Sequence, residues 1–94
     1  MSDIDILHPN PLGMDRARKA LDQVALKLGE RFGVESAWIG DTLSFRRSGV
    51  EGRIALDETH VHVTAQLGFL LAAMKGPIEA EIRRVLAEKL GPAD

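Results

Sequence analysis

The sequence predicts an α+β two-layer sandwich, an antiparallel sheet of four to five strands with two helices on one face, in the order β-α-β-β-β-β-α. Three observations predict it. Residues 14–32 and 77–90 repeat apolar side chains every three or four positions, the spacing of a half-buried helix. Between them lie four short strand-like segments, residues 34–39, 42–47, 52–56 and 60–67, separated by turn residues. Residues 3–7 alternate Ile4 and Ile6 against Asp3 and Asp5, as a strand with one wet face does.

The opening strand is expected to end at His8-Pro9-Asn10-Pro11, because two prolines remove donors and hold their predecessors extended. In the first helix Ala17, Ala20, Leu21, Val24, Leu28 and Phe32 form the apolar stripe, and Gly33 stands where a left-handed C-cap belongs. Arg16, Arg18 and Lys19 oppose the dipole at its start, so packing has to supply most of its stability. Gly40-Asp41 suits a two-residue hairpin, while residues 48–51 and 57–59 read as the next connections. Strand parity then places Leu43, Phe45, Ile54, Leu56, Val61, Val63, Ala65 and Leu67 inside, with Ser44, Arg46, Arg53, His60, His62, Thr64 and Gln66 outside. Trp38 and Ile39 have opposite parity, and Trp38 is the one expected inside. The terminal helix is expected to take Gly76 as N-cap and Pro77 as first residue. Its apolar face is Ile78, Ile82, Val85, Leu86 and Leu90, Glu79 and Arg83 pair at i,i+4, and Gly91-Pro92 stop it.

A chain of 94 residues fits one domain, residues 1–94, burying about 60 to 70% of its unfolded surface. Apolar residues make 45% of it and charged residues 28%, which places it with globular chains rather than disordered ones. Without cysteine, thiolate metal sites and cysteine nucleophiles are excluded, and a small domain lacking disulfides suits a reducing cytoplasm. The acidic start lacks the basic region and apolar core of a secretory leader, and the apolar run at residues 69–74 is far below the roughly 20 residues of a transmembrane helix. A net charge of −2 gives no general attraction to nucleic acid, and none is expected as a partner.

Residues 41–52, DTLSFRRSGVEG, together with residues 68–90, resemble the small bacterial polyhydroxyalkanoic acid system family, also called the polyhydroxyalkanoate granule-region family. Ile4, Ile6, His8 and Pro9 match its opening strand with a following histidine and proline. Gly68-Phe69-Leu70-Leu71 followed by Lys75-Gly76-Pro77-Ile78-Glu79 is the most specific part. The resemblance covers nearly the whole chain and implies a role in storage-polyester metabolism, with a granule or a granule-associated protein as partner. It carries over no catalytic residue and no cofactor. Gly13 departs from the pattern, since related chains offer a better side-chain N-cap there, which predicts a weakly capped first helix.

Several residues invite a site. His60 and His62 share a strand face and could begin a metal centre with a distant His8 or carboxylate, but catalytic zinc takes three protein ligands, so exposed strand histidines are the better reading. Asp57 or Glu58 with His60, and Ser44 or Ser48, could be cast as acid, base and nucleophile, yet no spacing fixes a triad and no enzyme is expected. Arg46 and Arg53, with Arg47 beside them, form a candidate basic face for a phosphate, an acidic protein or an anionic surface. Glu51 and Asp57 nearby favour a merely solvated face. The candidate apolar surface is Phe69, Leu70, Leu71 and Met74, rimmed by Lys75 and extended by Leu26. The plainer alternative is a helical turn whose Phe69, Leu70 and Met74 close the open edge of the core. The leading expectation is a non-enzymatic, cytoplasmic accessory protein that binds through this apolar surface to a granule, a granule-associated protein or a homodimer partner. The alternative is a carrier or sensor of a hydroxyacyl or fatty-acid-like ligand held between sheet and helices.

Overall fold

A computed structural model describes residues 3–92, apart from the side chain of Leu70. The elements are β1 (Ile4–Pro9), α1 (Gly13–Phe32), β2 (Glu35–Ile39), β3 (Thr42–Arg47), β4 (Val50–Leu56), β5 (His60–Leu67), α2 (Phe69–Ala72) and α3 (Lys75–Leu90). The sheet has five antiparallel strands in the order β1-β5-β4-β3-β2. Strands β2 to β5 form a meander closed by short turns, and β1 pairs with the far side of β5. It follows that β1 and β2 run the same way at opposite edges, so α1 crosses the full width of the sheet to join them. The predicted α+β architecture is the one observed, with α2 as an additional short helix.

One face of the sheet carries both long helices. Ile4, Ile6, Leu43, Phe45, Ile54, Leu56, Val61, Val63 and Ala65 are buried there against Ala17, Leu21, Val24 and Leu28 of α1 and Ile78, Ile82, Val85, Leu86 and Leu90 of α3. Burying each large aliphatic side chain contributes about 1.5–3 kcal/mol, so this layer supplies the main driving force for the fold. The other face is open.

Three boundaries differ from expectation. Strand β1 runs through His8 and Pro9, because it is an edge strand and a proline at its end interrupts no interior ladder. That extension turns His8 inward, where it is 3% exposed and its Nε2 donates to the Gly91 carbonyl at 2.8 Å, tying β1 to the end of α3. The β3–β4 connection is a two-residue turn rather than residues 48–51, since Gly49 adopts φ +85° and lets Val50 and Glu51 join β4. Helix α3 starts at Lys75 with Met74 as N-cap, placing Gly76 and Pro77 inside its first turn. Proline is harmless there because the first four N–H groups of a helix lack intrahelical partners.

At the start of α1 no side chain caps the helix, in keeping with Gly13. Buried Asn10 supports the approach instead: its Oδ1 accepts from Leu12 N at 3.1 Å and its Nδ2 donates to Asp57 O at 2.9 Å. Gly33 caps the other end at φ +69°, as predicted. Trp38 lies on the helix side, half-buried, with Nε1 donating to Asp22 Oδ1 at 2.8 Å and the Arg18 guanidinium 4.1 Å above its ring. Ile39 points outward, 72% exposed. The expected Glu79–Arg83 pair is present at 3.6 Å.

Candidate functional site

The inner face of the sheet is filled unevenly. One row across it reads Ile6, Val63, Ile54, Leu43 and Trp38; the next reads Ile4, Ala65, Gly52, Phe45 and Ser36. The second row thus places its two smallest residues on the central strands, directly opposite each other. The short side chains of Ala65 and Gly52 leave space between the sheet and the helices above them. A cavity of about 230 Å³ results, floored by Ala65, Gly52 and Phe45 and walled by Leu28, Ile78 and Ile82.

Helix α2 closes one side of this cavity. Leu71 and Met74 line it, and so do Arg31 and Phe32 from the end of α1 and Arg47 from the end of β3. Arg31, Arg47 and Met74 also reach solvent, so the opening lies between these three segments. Arg47 shares strand parity with Leu43 and Phe45, which puts it on the helix side and away from Arg46. Its Nη1 donates to the Phe32 carbonyl at the C-terminal end of α1, a position where a cation suits the helix dipole. Among the described residues no carboxylate lies within 4.0 Å of the Arg47 guanidinium. Arg31 makes a long 3.6 Å contact with Glu81. That carboxylate is committed more closely to Arg84, whose hydrogen bond holds Glu81 below the usual carboxylate range.

Phe69 sits on the outside of α2, and Met74 follows that helix as the N-cap of α3. Phe69 is 94% exposed and so does not close the core edge as the plainer reading has it, whereas Met74, 51% exposed, both lines the cavity and reaches solvent. Leu71, two residues from Phe69, faces the other way, is half-buried and lines the cavity. The Leu70 side chain lies outside the described residues. The approach to α2 is set by two glycines: Gly68 N donates to Gly49 O at 2.7 Å, and a Cβ on Gly68 would sit 3.2 Å from Gly49 Cα. Arg47, Gly49, Phe69 and Leu71 border one shallow apolar depression beside the cavity opening. Leu26 is exposed but lines a separate groove with Trp38 and Ala37, so it does not extend the Phe69 surface.

The open sheet face carries Arg46 and Arg53, as parity requires. Arg46 stands between Glu35 and Glu51 in register, while Arg53 stands between Ser44 and Thr64. Acids on both sides of Arg46 balance its charge, which leaves a mixed solvated face rather than a concentrated basic patch. His62 on this face donates through Nε2 to Asp5 Oδ1 at 2.6 Å, a cross-strand pair that needs the β1–β5 register to be foreseen. His60 and His62 point away from His8, which is inside, so the sheet separates His8 from the other two. No group of three or more metal-capable side chains converges among the described residues. Asp57 works within the β4–β5 turn: its Oδ1 accepts from Thr59 N at 2.8 Å and His60 N at 2.7 Å, and those backbone donors hold its carboxyl below the ordinary range. Neither Ser44 nor Ser48 hydrogen-bonds a histidine. No described helix is long and apolar enough to cross a membrane.

No curated protein and no protein of solved structure matches the chain. A family model does, and it spans β1 to the last residue of α3, taking in the hairpin that carries Arg47 and Gly49 and the segment that carries Phe69 and Leu71. Matched over residues 4–90, the chain belongs to the family described as "Putative polyhydroxyalkanoic acid system protein (PHA_gran_rgn)".

Proposed function

We propose that this protein is a non-enzymatic accessory of polyhydroxyalkanoate metabolism that acts in the cytoplasm by adsorbing to the stored polyester through α2. The observation that carries this is Phe69, a large aromatic side chain 94% exposed at the start of α2. Met74 adds exposed apolar surface and Lys75 a charged rim, the arrangement expected of a patch that meets an apolar surface from water. The charge-balanced open face of the sheet gives Arg46 and Arg53 at most a supporting part. The test is cosedimentation of the purified protein with amorphous poly(3-hydroxybutyrate) particles and with polar particles of equal size. Binding to the polyester alone, persisting at 1 M salt where the Debye length falls to about 3 Å, supports the reading. Folded protein that stays in the supernatant refutes direct adsorption, and a homodimer that hides Phe69 or capture by a granule-associated protein would then explain the exposed residue.

The cavity favours a second reading, that of a carrier or sensor for a small acyl compound. An apolar space of about 230 Å³ with an opening to solvent is large enough for a ligand and is lined mainly by aliphatic and aromatic side chains.

A further inference from the structure

Most of the cavity lining offers no hydrogen bond to a ligand, and two of its lining residues, Arg31 and Arg47, are cationic and reach solvent. Such a site selects molecules with an apolar tail and one anionic end. An apolar cavity of about 150 Å³ lined by Leu, Ile and Phe accepts benzene, with six carbons. By that measure 230 Å³ takes about nine carbon-sized atoms, one alkyl chain of medium length. The tail would lie over Ala65 and Gly52, where the inner sheet surface is lowest, and run beneath Leu71. The end nearest solvent would meet Arg47, whose guanidinium donates through Nε to Ser48 O and through Nη1 to Phe32 O, has no acidic partner among the described residues, and keeps Nη2 for a carboxylate oxygen. Arg31 stands at the same opening but shares its charge with Glu81.

We infer that the space between Ala65, Gly52 and Leu71 is a binding site for a medium-chain monocarboxylate, with its alkyl tail inside and its carboxylate on Arg47. This rests on the carrier or sensor reading and gives it a ligand class. Chain length sets affinity up to the capacity of the cavity: each methylene added between butanoate and octanoate tightens binding about fourfold, and hexadecanoate gains little more.

The experiment follows backbone amide chemical shifts of the full chain during titration with sodium octanoate and, separately, octan-1-ol. Saturable shifts with octanoate around Gly52, Ala65 and Leu71, weakened at least tenfold by Arg47→Gln while octan-1-ol binding stays the same, support the assignment. Arg47 is exposed, so this variant tests the charge without emptying the core. Ala65→Leu, which fills the floor, should abolish the response to both probes. If octanoate and octan-1-ol bind equally and Arg47→Gln changes neither, the carboxylate assignment is overturned while the cavity keeps its acyl ligand. If neither probe shifts any lining residue of the folded protein, the site and the reading beneath it both fail.

Discussion

Phe69→Ser separates a surface role from a core role. A fully buried phenylalanine contributes about 1.5–3 kcal/mol relative to an exposed one. Phe69 is 94% exposed, so its share in folding is about 0.2 kcal/mol at most, the remaining few per cent of that range. Serine at the first position of α2 removes no cap, because Gly68 is the N-cap and no side chain hydrogen-bonds there. The urea midpoint should therefore move by no more than a stability change of about 0.5 kcal/mol. Adsorption to polyester should respond quite differently. If the ring enters the polymer surface, the same 1.5–3 kcal/mol is lost from binding, which at about 1.4 kcal/mol per decade means roughly a tenfold to hundredfold weaker affinity. Leu71→Ser is the internal comparison: a half-buried side chain against the cavity, it should cost about 1–2 kcal/mol of fold stability. Particle cosedimentation and urea unfolding on the three proteins give the answer. A Phe69→Ser protein that binds particles within twofold of the parent, or that loses 2 kcal/mol or more of stability, refutes the reasoning.

Two further outcomes are expected. His8→Leu keeps the bulk but leaves the Gly91 carbonyl without its donor at the end of α3, which should lower stability by about 1–3 kcal/mol in urea unfolding, with hydrogen exchange rising first around residues 87–91. Asp57 has a folded-state pKa below its ordinary value of 3.8, so the stability it contributes is present above that value and is lost as pH falls further through the folded pKa. Asp57→Ala should remove that part of the acid-side slope between pH 4 and the folded pKa, seen as a shallower dependence of the urea midpoint on pH; an unchanged slope would show that the turn does not hold the carboxylate as described.

The alternation of residues along β3, β4 and β5 was enough to place eight inward side chains and seven outward ones on the correct sides, because a strand has period two and one face of this sheet is dry. The helices were legible for the same kind of reason. What the linear pattern missed depends on pairing between distant strands. The inward turn of His8 follows from β1 being an edge strand that continues through His8 to the first proline, and the His62–Asp5 pair requires the β1–β5 register. The cavity is a difference in volume between neighbouring rows, so it appears only when Ala65 is set beside Gly52. Arg47 was within reach: its parity with Leu43 and Phe45 already separates it from Arg46. Helix α2 gave no comparable signal, since four residues are too few for periodicity to tell Phe69 from Leu71.

The two stretches that carry the family resemblance are separated in sequence by the rest of β4 and by β5, and the fold brings them to one place. The hairpin of residues 41–52 supplies Phe45 and Gly52 to the cavity floor, Arg47 to its opening and Gly49 to the turn beneath α2. Residues 68–90 supply Gly68, the outward Phe69, the inward Leu71 and the aliphatic wall of α3. Their meeting point is the Gly68–Gly49 contact, where the peptide N–H of one donates to the carbonyl of the other at 2.7 Å and the two backbones come too close for an easy side chain. A bulkier residue at either glycine would lift α2 away from the β3–β4 turn, moving Leu71 off the cavity and changing how Phe69 is presented. The exposed aromatic and the apolar space are therefore two sides of one short helix, and both depend on the same backbone contact.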